Sequence, residues 1–280
     1  MGVNETMKKT IFKFIMGASL LALTYGCSEQ KQATSSDEIN VGVILGFTGP
    51  IESLTPTMAA SAEMAYKEAS DSGKLLGGTT ITVVRADSTC IDAAAATSAA
   101  ERLITSDNVV AIMGADCSGV TTAIANNVAI PNGVTMISPS ATSPALTDIE
   151  DNGYFFRTAP SDARGGEILA QVVLEKGISS VAVTHTNNDY GKGLADSFSS
   201  AYTALGGTVT IDIAHEDGKG DYSAEVGTLS ASGANELVVI GYLDQGGRGI
   251  IQSSIDSGAF SRFVLSDGMI GQSLIDNVDG

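Results

Sequence analysis

The chain has 280 residues, with 15 Lys+Arg against 32 Asp+Glu and a formal net charge of -17. Length allows roughly one to two domains, and a hydrophobic share of 43% is enough for a sizeable core and argues against general disorder. So acidic a surface repels phosphate backbones and anionic lipid heads, which excludes nucleic acid as a partner. With aromatics at 5% and Trp absent, flat stacking platforms for sugars or bases are scarce as well.

Residues 1–26 read as a targeting segment. Lys8, Lys9 and Lys13 form a basic start, and an uncharged stretch with Phe14, Ile15, Met16, Leu20, Leu21 and Leu23 follows. That stretch is short for a membrane span and has the length of a signal-peptide core. It ends Leu23-Thr24-Tyr25-Gly26-Cys27, which resembles the lipobox of bacterial lipoproteins. The resemblance implies lipidation of Cys27, although Thr24 stands where such boxes usually carry Leu. The alternative is an ordinary signal peptide and a soluble periplasmic protein. Residues 27–37 are small and polar, as in a tether between an anchor and a domain. The chain is then exported, and its remaining cysteines are in a compartment that allows oxidation.

From Ile39 onward, short apolar runs alternate with helical spacing. Strands are predicted at Ile39 to Leu45, Thr80 to Arg85, Val109 to Met113 and Val134 to Ser138. Between them, Met58, Ala62, Ala65 and Ala69 fit one helix face. Ala96, Ala100 and Leu103 fit a second, and Val120, Ile124 and Val128 a third. Continuous apolar strands are covered on both faces, and helical crossovers make such a sheet parallel. A second series has strands at Ser180 to His185, Thr208 to Ile213, Glu236 to Tyr242 and Arg262 to Leu265. Its clearest helix carries Leu194, Phe198, Ala201 and Leu205 on one stripe, with Gly206 and Gly207 as stop signals. Asn152 to Asp162 separates the series and reads as a strand crossing between lobes. The predicted fold is α/β: two doubly wound parallel-sheet lobes joined by crossing hinge strands, lobe 1 over 38–152 and lobe 2 over 153–280.

Six segments in register carry a family likeness. They are Gly42 to Pro50 (GVILGFTGP), Ser138 to Thr147 (SPSATSPALT), Phe156 to Asp162 (FRTAPSD), Asp189 to Ala195 (DYGKGLA), Gly241-Tyr242 and Ser266-Asp267-Gly268. The chain resembles the leucine/isoleucine/valine-binding family of solute-binding proteins of ABC importers, which have the type I periplasmic-binding fold. Members cross back after the last of these segments to complete lobe 1. A chain stopping at Asp279-Gly280 therefore reads as C-terminally truncated. Cys90 and Cys117 occupy positions where leucine-binding members carry a disulfide, which the resemblance implies here; two free buried thiols are the alternative.

The resemblance implies a small amino acid, branched-chain or similar aliphatic, held between the lobes without a cofactor or metal. Ligands of open α/β sheets sit beyond the carboxyl ends of strands, where helices begin. Ser118 stands at such a helix start and offers an amide and a hydroxyl to a carboxylate. Ser140, Ala141 and Thr142 follow the fourth strand. The Ser140 carbonyl and Thr142 hydroxyl are expected to accept from the ammonium, and the Thr142 amide to donate to the carboxylate. Asp267 would be the counter-charge to the ammonium, where many relatives carry Glu. Tyr242 would reach the carboxylate, and Tyr190 is expected in a loop at the cleft edge. Leu54 stands where relatives have an aromatic, with Phe47 as another candidate wall. The implied partner is the permease of an ABC importer, with membrane contact through the lipid anchor only.

No GxxxxGK[ST] phosphate loop, GxSxG elbow, HExxH or CxxC occurs, and two histidines are few for acid–base or metal chemistry. Asp217 to Asp221 (DGKGD) reads as a solvated turn. The chain is therefore not expected to be an enzyme. A ligand-sensing receptor module of the same fold, or a binder of amides or urea-type solutes, stays open.

Overall fold

The computed structural model describes residues 37–278. The predicted leader, the anchor Cys27 and the polar linker up to Ser36 lie outside the described residues. Among the described residues, no helix is long and apolar enough to cross a membrane.

The first sheet has five parallel strands in the order β2-β1-β3-β4-β5. These are β1 (Glu38–Leu45), β2 (Thr80–Asp87), β3 (Val109–Gly114), β4 (Thr135–Ser138) and β5 (Phe155–Arg157). Residues Val41 to Leu45 of β1 are buried on both faces, as the unbroken apolar run requires of a central strand. Three helices serve this sheet: α1 (Thr55–Asp71), α2 (Ala93–Thr105) and α3 (Ser118–Ile124), which runs on as a π-helical turn over Ala125–Ala129. Asp92 caps α2 by accepting from the amides of Ala94 and Ala95 at 2.9 and 3.0 Å. Its buried stripe is Ala96, Ala100 and Leu103.

The second sheet has four parallel strands in the order β7-β6-β8-β9. They are β6 (Ser180–Thr186), β7 (Thr208–His215), β8 (Leu237–Ile240) and β9 (Phe263–Leu265). The chain reaches them through α4 (Asp162–Glu175) and adds α5 (Asp189–Ala204), α6 (Ser223–Ser230), α7 (Gly246–Ser257) and α8 (Gln272–Asn277). Both orders reverse beside the first strand of their lobe, at β1/β3 and at β6/β8. Those are the two places where an open α/β sheet forms a crevice.

Three local expectations shift. The segment read as a hinge crossing begins as β5, which pairs with β4 through Met136↔Phe155, Ile137↔Phe156 and Ser138↔Arg157. Only residues 158–161 then lead across to α4. The face that α1 turns inward carries Thr55, Ala59, Ala62 and Tyr66, and Ala65 is exposed. An alanine-rich helix has little periodicity of its own, so contact with Val43, Leu45 and Val83 decides its rotation. On α5 the buried stripe ends at Tyr202, whose hydroxyl donates to the Ile178 carbonyl at 2.9 Å, and Leu205 lies past the helix end and 52% exposed.

Cys90 and Cys117 form a disulfide across a Cα–Cα distance of 5.2 Å and a sequence separation of 27. It joins the loops after β2 and β3, the strands on either side of β1. Loop-closure entropy for that separation gives about 3.5 kcal/mol of stabilisation. Replacing both cysteines by serine should lower unfolding stability by about 2–5 kcal/mol in urea melts. A double variant as stable as the parent would show that the bridge contributes nothing.

Candidate functional site

The carboxyl ends of the two switch points face each other across a cavity of about 150 Å³. A cavity of about this volume holds benzene in an engineered protein, which sets the scale of a fitting molecule. From the first lobe it is lined by Asp116, Cys117 and Ser118 after β3, Ser140 and Thr142 after β4, and Ile51, Leu54 and Met58 around the start of α1. The second lobe supplies Tyr190, Tyr242, Asp267 and Gly268.

On the first lobe the loops are tied together by side-chain oxygens. Ser118 Oγ accepts from the amides of Thr142 and Ser143, both at 3.1 Å. Ser140 Oγ donates to the Asp116 carbonyl at 3.0 Å. The Asp116 carboxylate lies beneath, accepting from the amides of Gly46 at 2.8 Å and Cys117 at 3.0 Å and from the Ser88 hydroxyl at 3.3 Å. Burial raises its pKa, against those donated bonds. No side chain caps the first turn of α3.

On the second lobe Asn188 caps α5, accepting from the amides of Tyr190 and Gly191 at 3.1 and 3.0 Å. Gly191 permits the helix to start this close to β6, because a Cβ there would lie 2.1 Å from the Thr186 carbonyl oxygen. The cap turns Tyr190 inward, where its ring stacks on Tyr242 with centroids 5.2 Å apart. Its hydroxyl lies 2.9 Å from both Ser266 Oγ and Asp267 Oδ1, and accepts from the Gly268 amide at 3.2 Å. Gly268 is needed at that bond, since a Cβ would stand 2.9 Å from the tyrosine oxygen and 2.6 Å from the Gly241 carbonyl oxygen. Burial raises both tyrosine pKa values well above the ordinary phenol range. Both rings therefore stay neutral and act as hydrogen-bonding groups.

A two-lobed parallel fold with a polar cleft at facing switch points invites comparison with known proteins. The periplasmic binding protein family is matched over residues 38–269. This chain belongs to the periplasmic binding protein family. Among relatives, a Leu/Ile/Val-binding protein homolog 1 from Brucella melitensis is 29% identical over 269 residues, covering 96% of this chain and 69% of that protein. A leucine-binding protein, LivK, from Thermotoga maritima superposes with a TM-score of 0.75 at 25% identity, covering 85% of this chain and 66% of that one. LivJ from Streptococcus pneumoniae, a branched-chain amino acid transporter substrate-binding protein solved with isoleucine, gives 0.73 at 28%, covering 86% and 67%. This chain thus spans about two thirds of the length of those relatives.

The binding protein brings six of the seven sequence-predicted residues to one cavity: Ser118, Ser140, Thr142, Tyr190, Tyr242 and Asp267. Ala141 is the exception. It is fully buried, its amide donates to Ser138 Oγ and its carbonyl accepts from Arg157, so it holds the loop from behind. Tyr190 is in the first turn of α5 and buried, not in a loop at the cleft edge. The Thr142 amide, expected to donate to the ligand, donates to Ser118 Oγ at 3.1 Å. Leu54 lines the cavity as expected, whereas Phe47 packs outside it, 5.4 Å beneath the Arg85 guanidinium. Asp217 is half-buried rather than solvated: it accepts from the Thr186 hydroxyl and, at 3.0 Å, from the Gly246 amide. Among the described residues no group of three or more His, Cys, Asp and Glu could hold a metal ion.

Sequence reasoning missed Asp116, Ile51, Met58 and Asp162. Only Asp116 had a local signal, standing between a strand end and a helix start. Asp162 opens α4 and is 6% exposed, and its Oδ2 has no hydrogen-bond partner among the described residues. Burial pushes its pKa from 3.8 up to about 6, opposed by a hydrogen bond from Thr142; the charge of Asp267 adds to the rise and that of Arg157 opposes it. The folded state thus holds this proton more tightly than the unfolded chain. The resulting cost is absent below 3.8 and complete above about 6, so stability falls as pH rises through that window. Asp162→Asn should remove that slope in thermal melts from pH 4 to pH 7, and an unchanged slope would assign it to other groups.

Proposed function

We propose that this binding protein captures a small aliphatic α-amino acid between its lobes, outside the cytoplasm, and delivers it to an ABC importer. The observation that carries this reading is the division of the cavity's chemistry. Asp267 puts a carboxylate at one wall, backed by Asp162; hydroxyls and the α3 start stand at another; Ile51, Leu54 and Met58 form an aliphatic side. That pattern complements an ammonium, a carboxylate and a short hydrocarbon chain. The names of the Brucella, Thermotoga and Streptococcus relatives support the same class of ligand.

In this reading the ligand carboxylate takes the Ser118 hydroxyl and the amides opening α3, with Tyr242 reaching it from the other lobe. The ammonium donates to the Ser140 carbonyl, the Thr142 hydroxyl and Asp267. A charge-assisted bond to Asp267 is about twice as strong as a neutral one, and the Tyr190 hydroxyl keeps that carboxylate oriented. Because both lobes contribute, the ligand favours the closed form and draws the hinge over residues 158–161 shut. The closed, loaded form is what the permease would recognise. Cys27, lipidated, would keep the protein at the membrane, with residues 27–37 as tether and the lobes divided after β5 rather than at residue 152.

An amino acid should raise the thermal midpoint of the full chain. Asp267→Ala and Thr142→Ala should each weaken calorimetric binding at least tenfold, about 1.4 kcal/mol. Wild-type affinity in both variants would sink the site assignment.

A further inference from the structure

A second set of contacts joins the lobes outside the cavity. The turn over Pro50 to Leu54 belongs to the first lobe and carries Ile51 and Leu54, two of the three aliphatic lining residues. It meets the loop after β8. The Pro50 carbonyl accepts from the Asp244 amide at 3.0 Å, and the Asp244 carboxylate accepts from the Ser53 amide through Oδ2, also at 3.0 Å. The other oxygen, Oδ1, accepts from the Ser273 hydroxyl at 2.9 Å, on α8 of the second lobe. Beside this knot, a Cβ on Gly271 would lie 2.3 Å from Leu243 and 3.6 Å from Leu54, so the leucines pack around that glycine.

We infer that Asp244, which does not line the cavity, is a positioning residue that latches the Pro50–Leu54 turn to the second lobe when the cleft is closed. One carboxylate is shared between the lobes: Ser273 fixes it on its own side, and Ser53 is captured across the gap. The two bonds to the turn form only when the lobes meet, so they stabilise the closed form and leave the open one unaffected. The same bonds set Ile51 and Leu54 against the ligand's hydrocarbon. The latch thereby lengthens the time a ligand stays, since opening must break it.

The inference rests on the capture reading for its ligand arm, and a second arm needs no ligand. In the full chain without added ligand, hydrogen exchange of the peptide spanning residues 51–54 should be about tenfold faster in Asp244→Ala than in wild type, with Asp244→Asn between them. With L-leucine as probe, Asp244→Ala should dissociate about tenfold faster. Ser273→Ala should move dissociation in the same direction by less. Equal exchange at residues 51–54 in wild type and Asp244→Ala overturns the latch, as does an unchanged L-leucine dissociation rate. If wild type fails to bind any amino acid, the capture reading falls, and the exchange arm still decides the latch.

Discussion

Parallel pairing forces every strand of a sheet to deliver its carboxyl end to the same edge, and most of this architecture follows from that constraint. In each lobe the chain winds one way from the first strand and then the other, so the loops after β1 and β3, and after β6 and β8, part and leave a crevice. Cavity-lining side chains stand on those loops and helix starts: Ser118 opens α3, Tyr190 lies in the first turn of α5, and Tyr242 follows β8. The disulfide between Cys90 and Cys117 ties the loop after β2 to the loop after β3 across the central strand, and Cys117 itself lines the cavity.

Polar groups in the cleft are held by one another before any ligand arrives. Ser118 gathers two amides of the Thr142–Ser143 loop, Asn188 gathers two amides of α5, and the Tyr190 hydroxyl meets both Ser266 and Asp267. Each such bond contributes modestly, but leaving a buried partner unmade costs more than the bond returns. The loops are therefore restricted to the arrangement that satisfies them. Acidity concentrates here too. Asp116 and Asp162 are both buried, and burial shifts both upward, so each holds its proton more readily than an exposed carboxyl does.

Strands were legible because their apolar runs are short, bounded by turn signals and, in the central β1, β6 and β8, buried. The predicted ranges meet the observed ones within a residue or two at most ends, as in Thr80–Asp87 and Phe263–Leu265. Helix faces were less legible. The stripe on α1 slipped because alanine is nearly indifferent to burial, and on α5 Tyr202 outcompeted Leu205 because its hydroxyl finds a buried carbonyl. Motif likeness placed six cavity residues, yet it gave no sign that the Thr142 amide donates to Ser118 Oγ. A backbone donor leaves no trace in the sequence, and only the position of Ser118 shows that it is taken.

Charge, the order of strands and helices, the caps at Asp92 and Asn188, and the family motifs are properties of local sequence, and the sequence by itself determined them. Their physical basis is short-ranged: burial periodicity, turn geometry and side-chain bonds to amides two or three residues away. Tertiary structure alone decided which loops meet. It put Asp162 beside Thr142, left Phe47 outside and Leu54 inside, and set Asp244 opposite Ser53, 191 residues away in the chain. Such pairings depend on how two sheets face each other, and no window of sequence contains both partners.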